Sequence, residues 1–228
     1  MKIGGLEKFT LIDYPGKISA IVFTVGCNFR CPFCHNPSLV EETEETDIKT
    51  EEVLTFLKKR IGSLDAVTIT GGEPTMHKDL IPFMRKIKKL GFLIKLDSNG
   101  TNPLVLKKVI KEKLVDYLAM DIKSSPEKYM QTVGRPIEIK KIKESVNIIM
   151  KSGIPYEFRT TVVKALLPEE DFPKIGEFIK GAEKYFLQKF IPTKILNPQF
   201  KKKTTYTDSE FLKIKSVMEK YVKECGIR

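Results

Sequence analysis

Short runs of apolar and β-branched residues alternate along this chain with longer stretches whose apolar positions recur every three or four residues. Residues 18–25 form the first run, almost continuously apolar, as expected of a buried strand. A helix is predicted next, capped by Thr50, with Glu51 and Glu52 in its first turn and Val53, Leu54, Phe56, Leu57 and Ile61 at helical spacing. The unit then repeats. Strands are predicted over 66–70, 92–96, 115–122, 156–163 and 185–191, and helices over 78–90, 103–113, 136–151 and from about 168 onward. A last helix is expected from Thr207-Asp208 to Glu224.

Strands alternating with helices predict an α/β fold of parallel βα units. Eight such units close a barrel, and six leave a partial one. No linker or low-complexity tract divides the chain. It is therefore read as one domain over 1–228: a lead-in over 1–17 with a turn at Pro15-Gly16, six βα units over 18–192, and a basic loop and C-terminal helix over 193–228.

Composition refines this reading. A hydrophobic fraction of 41% over 228 residues suffices for a sizeable core. No apolar run approaches the ~20 residues of a membrane span, and Met1-Lys-Ile-Gly-Gly lacks the apolar core of a signal peptide. The net charge is +11, from 40 Lys and Arg against 29 Asp and Glu, but only six of the basic residues are Arg. Nucleic-acid sites favour Arg for bidentate contacts, so a solvated lysine surface is the favoured reading and a nucleic-acid partner is not expected. Lys201-Lys202-Lys203 is the densest basic patch and a minor pointer to an acidic partner. The acidic stretch 41–47 is read as solvated loop.

Candidate chemistry gathers where the predicted strands end. Cys27, Cys31 and Cys34 follow the first strand at Cys-x3-Cys-x2-Cys spacing. Only Cys225 remains, read as a semi-buried free thiol, so no disulfide framework is available and a reducing cytoplasm is the expected setting. Thiolates are the preferred ligands of iron–sulfur clusters. Three on one loop can each take a different iron of a [4Fe–4S] cube and leave the fourth iron open for chemistry. A structural zinc ion is the alternative, but it wants a fourth ligand, and His35 adjoins Cys34 too closely to serve. Gly71-Gly72-Glu73 ends the second strand: paired glycines allow close backbone approach to a ligand, and Glu73 offers a carboxylate to an ammonium group. His77 just beyond is read as a surface or helix-capping residue. Asp97-Ser98-Asn99 closes the third strand, with a carboxylate and hydroxyl suited to ribose. Asp121 and Lys123 close the fourth on one face. Arg159 sits in an apolar strand and needs an anionic partner, either a bound carboxylate or a structural salt bridge to Asp121.

The cysteine loop with Phe33 before its third cysteine, and Gly71-Gly72-Glu73 some forty residues later, resemble the radical S-adenosylmethionine (SAM) superfamily. That resemblance covers essentially the whole chain and implies a partial (β/α)6 TIM-type barrel. It further implies one [4Fe–4S] cluster on Cys27, Cys31 and Cys34, whose open iron chelates SAM and whose electron cleaves it to a 5′-deoxyadenosyl radical. Gly71, Gly72 and Glu73 would bind the SAM amino group. Asp97-Ser98-Asn99 and Asp121-Ile122-Lys123 resemble segments of glycyl-radical activating enzymes that line the SAM site, with a monovalent cation near Asp97 and Asp121. Arg159 would lie close to SAM. Thr10 to Lys17, followed by the cluster loop, resembles activating proteins of anaerobic ribonucleotide reductase and, more distantly, the pyruvate formate-lyase activating enzyme. Asp13-Tyr14-Pro15-Gly16, however, lacks the first glycine of the relatives' Asp-Gly-Pro-Gly, and Phe190-Ile191-Pro192-Thr193 lacks the histidine found near SAM in the formate-lyase activator. The implied partners are a glycyl radical enzyme as protein substrate and an electron donor such as flavodoxin or ferredoxin. A radical SAM enzyme modifying a small molecule or RNA, and a non-catalytic iron–sulfur carrier, are the competing readings.

Overall fold

The computed structural model describes residues 1–43 and 48–228; the stretch predicted as solvated loop at 41–47 lies partly outside them. One eight-stranded sheet runs in chain order: β1 (Ile3–Thr10), β2 (Ser19–Thr24), β3 (Ala66–Gly71), β4 (Leu93–Ser98), β5 (Tyr117–Asp121), β6 (Tyr156–Val162), β7 (Lys184–Lys189) and β8 (Glu224–Ile227). β1 is antiparallel to β2, and every later pair is parallel. The six predicted strands are β2 to β7. β1 and β8 extend the sheet at its two edges: the lead-in contains a strand, and the C-terminal helix expected to run to Glu224 ends at Met218 and is followed by β8.

The helices are α1 (Pro37–Glu41), α2 (Thr50–Lys58), α3 (Leu80–Lys89), α4 (Pro103–Lys111), α5 (Tyr129–Val133), α6 (Ile139–Met150), α7 (Asp171–Phe178) and α8 (Asp208–Met218). Thr50 is the first helical residue rather than the cap; Lys49 precedes it, and its N–H donates to Glu52. Ile61 lies beyond that helix and is exposed. Thr207 does cap α8, reciprocally with Glu210, as Thr-x-x-Glu patterns do. Short α1 and α5 occupy segments read as loop.

Period-two alternation divides the sheet into two unlike faces. Ile94, Leu96, Leu118, Met120, Phe158 and Leu187 join one core with helical residues such as Phe83, Ile87, Val146 and Ile175. The opposite face carries Lys95, Asp97, Tyr117, Asp121, Glu157 and Arg159, which bond to one another. At the end where the strands begin, Tyr14 packs on Ala66 and against the ring of Tyr117 at 5.7 Å. The chain end just after β8 reaches this face from the outside. Arg228 Nη1 and Nη2 each donate to buried Glu157 at 2.9 Å, and its guanidinium lies 3.5 Å over Phe186. Among the described residues no helix is long and apolar enough to cross a membrane.

Removing that fork leaves a buried carboxylate short of donors. Arg228→Ala is expected to cost about 2 kcal/mol, or roughly 4–8 °C in Tm for a chain of this size. Thermal unfolding followed by circular dichroism reads it, and an unchanged Tm would mean the fork adds no stability.

Candidate active site

Every candidate from Cys27 to Arg159 named above lines one cavity of about 240 Å³ at the C-terminal ends of the parallel strands. The cysteine loop is shaped by its own backbone. Arg30 Nη1 donates to the carbonyls of Cys27 (2.6 Å) and Phe29 (2.8 Å), and the Arg30 N–H donates to Val133 at the end of α5. Phe29 meets Tyr129 of α5 edge-on at 6.4 Å. From the other side, the N–H groups of Leu196 and Asn197 donate to the carbonyls of Cys34 and Pro32. The segment leading to the basic loop is therefore fastened to the cysteine loop.

All three thiols are free and none is fully exposed. Burial pushes the Cys27 thiol up to about 11, opposed by the Phe29 N–H that donates to Sγ. Burial likewise pushes Cys31 up to about 12, opposed by Lys123. Asn99 Nδ2 also reaches Cys27 Sγ at 3.9 Å. N–H donors and an ammonium group around sulfur suit thiolate ligands better than thiols. Among the described residues no three His, Cys, Asp or Glu side chains converge on a single ion position; an iron–sulfur cube uses such a donor set differently, one thiolate to each of three irons. His35 is turned away from ligation, its Nε2 2.9 Å from the Ile191 carbonyl and its ring stacked on Phe190.

Gly71 and Gly72 are glycines for a reason within the chain. A Cβ on Gly72 would overlap the carbonyl of Gly26, and one on Gly71, where φ is +109°, would press on the backbone of Thr24. Gly72 N–H donates to Thr24 O and Glu73 N–H to Gly26 O, both at 2.8 Å. The pair thus locks the end of β3 onto the start of the cysteine loop.

Glu73 is buried, and its carboxylate faces protein donors. Oε1 accepts from the N–H and hydroxyl of Thr75 and from Ser98 Oγ (2.9 Å), and Oε2 accepts from the Asn99 N–H (2.6 Å). Burial pushes its carboxyl up, although these donors pull the other way. Asn99, Asn28 and Thr101 close a small ring of hydrogen bonds: Asn99 Nδ2 to Asn28 Oδ1, Asn28 Nδ2 to Thr101 Oγ1, and Thr101 Oγ1 to Asn99 Oδ1. Ser98 and Asn99 therefore join β4 to Glu73 and to the cysteine loop. His77 is half-buried at the end of the short turn following Glu73.

Arg159 bridges the two aspartates. Nη2 donates to Asp97 Oδ2 (3.1 Å), Nε donates to Asp121 Oδ1 (3.2 Å), and Nη1 stands 3.9 Å from Glu157. The salt bridge to Asp121 is present, with Asp97 and Glu157 added to it. Lys95 pairs with Asp97, and Lys123 with Asp121 at 3.1 Å; Lys123 Nζ also lies 5.9 Å from the Phe33 ring centre. Burial pushes the Asp97 carboxyl up, but Arg159 and Lys95 outweigh it and hold it below its ordinary value. Lys95, Glu157 and Arg228 escaped the sequence reading. The first two were within reach, since each stands two residues before a recognised charge on the same strand face.

Comparison with known proteins places this site in context. The description "Radical SAM superfamily" matches residues 21–180. A Methanocaldococcus jannaschii protein, provisionally named a glycyl-radical enzyme activating enzyme, is 35% identical over 99% of this chain and 95% of its own length. A pyruvate formate-lyase-activating enzyme of Streptococcus mutans is 32% identical over 78% of this chain and 72% of its own. Among solved structures, a radical SAM methyltransferase from Sphaerobacter thermophilus superposes with a TM-score of 0.75 at 14% identity, covering 96% of this chain and 68% of that one.

The bridged aspartates imply a pH dependence. Burial raises Asp121, but Lys123 and Arg159 prevail and hold its carboxyl at about 2 against an ordinary 3.8. A depressed folded value stabilises the fold above the unfolded value and is lost as pH falls through the folded one. The stability gap between the native chain and Asp121→Asn should be roughly 2 kcal/mol at neutral pH and shrink below about pH 4. Urea unfolding at stepped pH measures it. A gap that stays constant into acid would refute the assignment.

Proposed function

The chain belongs to the radical SAM superfamily, and from that premise we propose that it is an activating enzyme that takes a hydrogen atom from a glycine Cα of a partner protein. Three thiols, a polar cradle and a cationic floor meet in one cavity at the strand ends, and this juxtaposition carries the reading. Cys27, Cys31 and Cys34 would hold the [4Fe–4S] cluster. When bound and reduced, that cluster supplies the electron that cleaves SAM.

The protein's own groups then have separable tasks. Lys95, Lys123, Arg159 and Arg228 face Asp97, Asp121 and Glu157, so the network carries one positive charge in excess. Lys123, partly exposed, is the group placed to receive an anionic carboxylate such as that of SAM. Glu73 Oε2 has a single donor among the described contacts and keeps acceptor capacity for an ammonium group. Ser98 and Asn99 position Glu73 more than they meet a ribose directly. Gly71 and Gly72 contribute backbone placement.

A protein substrate is supported by the rim. Met76, Leu104, Met130 and Ile191 are all exposed, and each stands shortly after the end of a different strand, β3, β4, β5 and β7. Large apolar side chains exposed beyond the ends of four strands, the end of the sheet that holds the cavity, suit docking of another chain, which would also exclude water from the site. The exposed lysines 201–203 follow a segment bonded to the cysteine loop, so they flank the same mouth. A glycyl radical enzyme, with anaerobic ribonucleotide reductase as the candidate, is the proposed partner, and a flavodoxin or ferredoxin the proposed reductant.

Anaerobic reconstitution should give about four irons per chain. Cys225, buried on β8 outside the cavity lining, should be dispensable, so Cys225→Ala keeps that content while Cys31→Ala loses it. With partner, reductant and SAM, formation of 5′-deoxyadenosine should accompany a glycine-centred doublet in electron paramagnetic resonance. Replacing Lys201, Lys202 and Lys203 with Gln should slow activation more at low salt than at high and leave cleavage of SAM without partner unchanged. If a small molecule or RNA alone restores coupling, with no radical on any protein, the proposal fails.

A further inference from the structure

Resemblance to the glycyl-radical activating enzymes implies a monovalent cation near Asp97 and Asp121. The donor set between them does not fit one. Each of the four carboxylate oxygens already holds a cationic donor: Asp97 Oδ1 takes Lys95 Nζ, Asp97 Oδ2 takes Arg159 Nη2, Asp121 Oδ1 takes Arg159 Nε, and Asp121 Oδ2 takes Lys123 Nζ. Hard cations are bound through oxygen lone pairs in a field that favours positive charge. Here three positive groups already face two negative ones.

Nor is Arg159 at liberty to swing aside. Glu157 stands 3.9 Å behind Nη1, and it is itself gripped by both Nη atoms of Arg228 and by the Tyr117 hydroxyl. A guanidinium has a rigid planar fork and keeps its charge at any accessible pH. Through Nε and Nη2 it spans two carboxylates on neighbouring strands, which a lysine ammonium at this position would do without that fixed geometry. We infer that Arg159 is the resident cation of the Asp97–Asp121 pair, fixed from behind by Glu157 and Arg228, and that no sodium or potassium ion binds between the two carboxylates.

The cluster-reconstituted protein, without SAM or partner, provides the test, so a failure of the activating-enzyme reading leaves the outcome interpretable. Thallium(I), a potassium mimic, is titrated and followed by thallium NMR. Thermal unfolding is compared in sodium, potassium and choline chloride at equal ionic strength. The native protein should give no saturable thallium signal and the same Tm in all three salts. Arg159→Lys, which keeps the charge, should behave alike. Arg159→Ala exposes an under-neutralised pair and should gain saturable thallium binding and a Tm higher in potassium or sodium than in choline. Saturable thallium binding or a cation-specific Tm in the native protein overturns the inference, even if Arg159→Ala does not fold. An Arg159→Ala chain that folds and stays indifferent to the cation overturns the role given to Arg159.

Discussion

Burying Arg159 carries a desolvation penalty that only its three carboxylate neighbours offset. The rest of the barrel interior follows from that requirement. Asp97 and Asp121 stand on the two preceding strands, and the register sets Asp121 beside Arg159 while Asp97, paired with Ala119, lies two residues lower at the level of Glu157. Each aspartate then has one further oxygen to satisfy, and Lys95 and Lys123 do so. Glu157 needs its own cation, and Arg228, the residue after β8, supplies it. The lattice is stiff because no member can leave without stranding a buried charge.

Beside this charged floor, the cavity wall is set by backbone packing. Gly72 lies against Gly26 so closely that any side chain would displace the carbonyl. That contact joins the end of one strand to the loop that ends another, and Glu73 carries the connection on to Ser98 and Asn99. Three successive strand ends are thereby fixed with respect to the three cysteines. The Gly-Gly-Glu segment works first as a structural joint, and any ligand it receives meets a surface already in place.

The polarity of the sheet explains why chemistry sits where it does. Helices cover one face with aliphatic and aromatic side chains. The other face is charged, and Tyr14 packs at the end where the strands begin. The cavity opens at the C-terminal ends, where the segments after the strands carry the cysteines and the glycines.

Much of this was legible in the chain. The six central strands, their alternation with helices and the cysteine spacing are local patterns, because strand burial and helical periodicity are written in consecutive residues. The candidate residues come from short motifs at or just after strand ends, except Arg159, which lies within β6 and lines the same cavity as the rest. Other features depend on residues far apart. β8 is four residues, Glu-Cys-Gly-Ile, with no periodicity of its own; it exists because β7 offers unpaired backbone groups. β1 contains Gly4-Gly5 and Glu7-Lys8, which read as loop until β2 pairs with it. Gly71-Gly72 looked like a ligand-binding turn, yet its nearest neighbour is Gly26, across the sheet. Arg159 announced by its burial that it needed an anion. Whether that anion would be one aspartate, a bound carboxylate or three acidic residues from three strands was decided by strand register, which brings together charges that lie up to 62 positions apart in the chain.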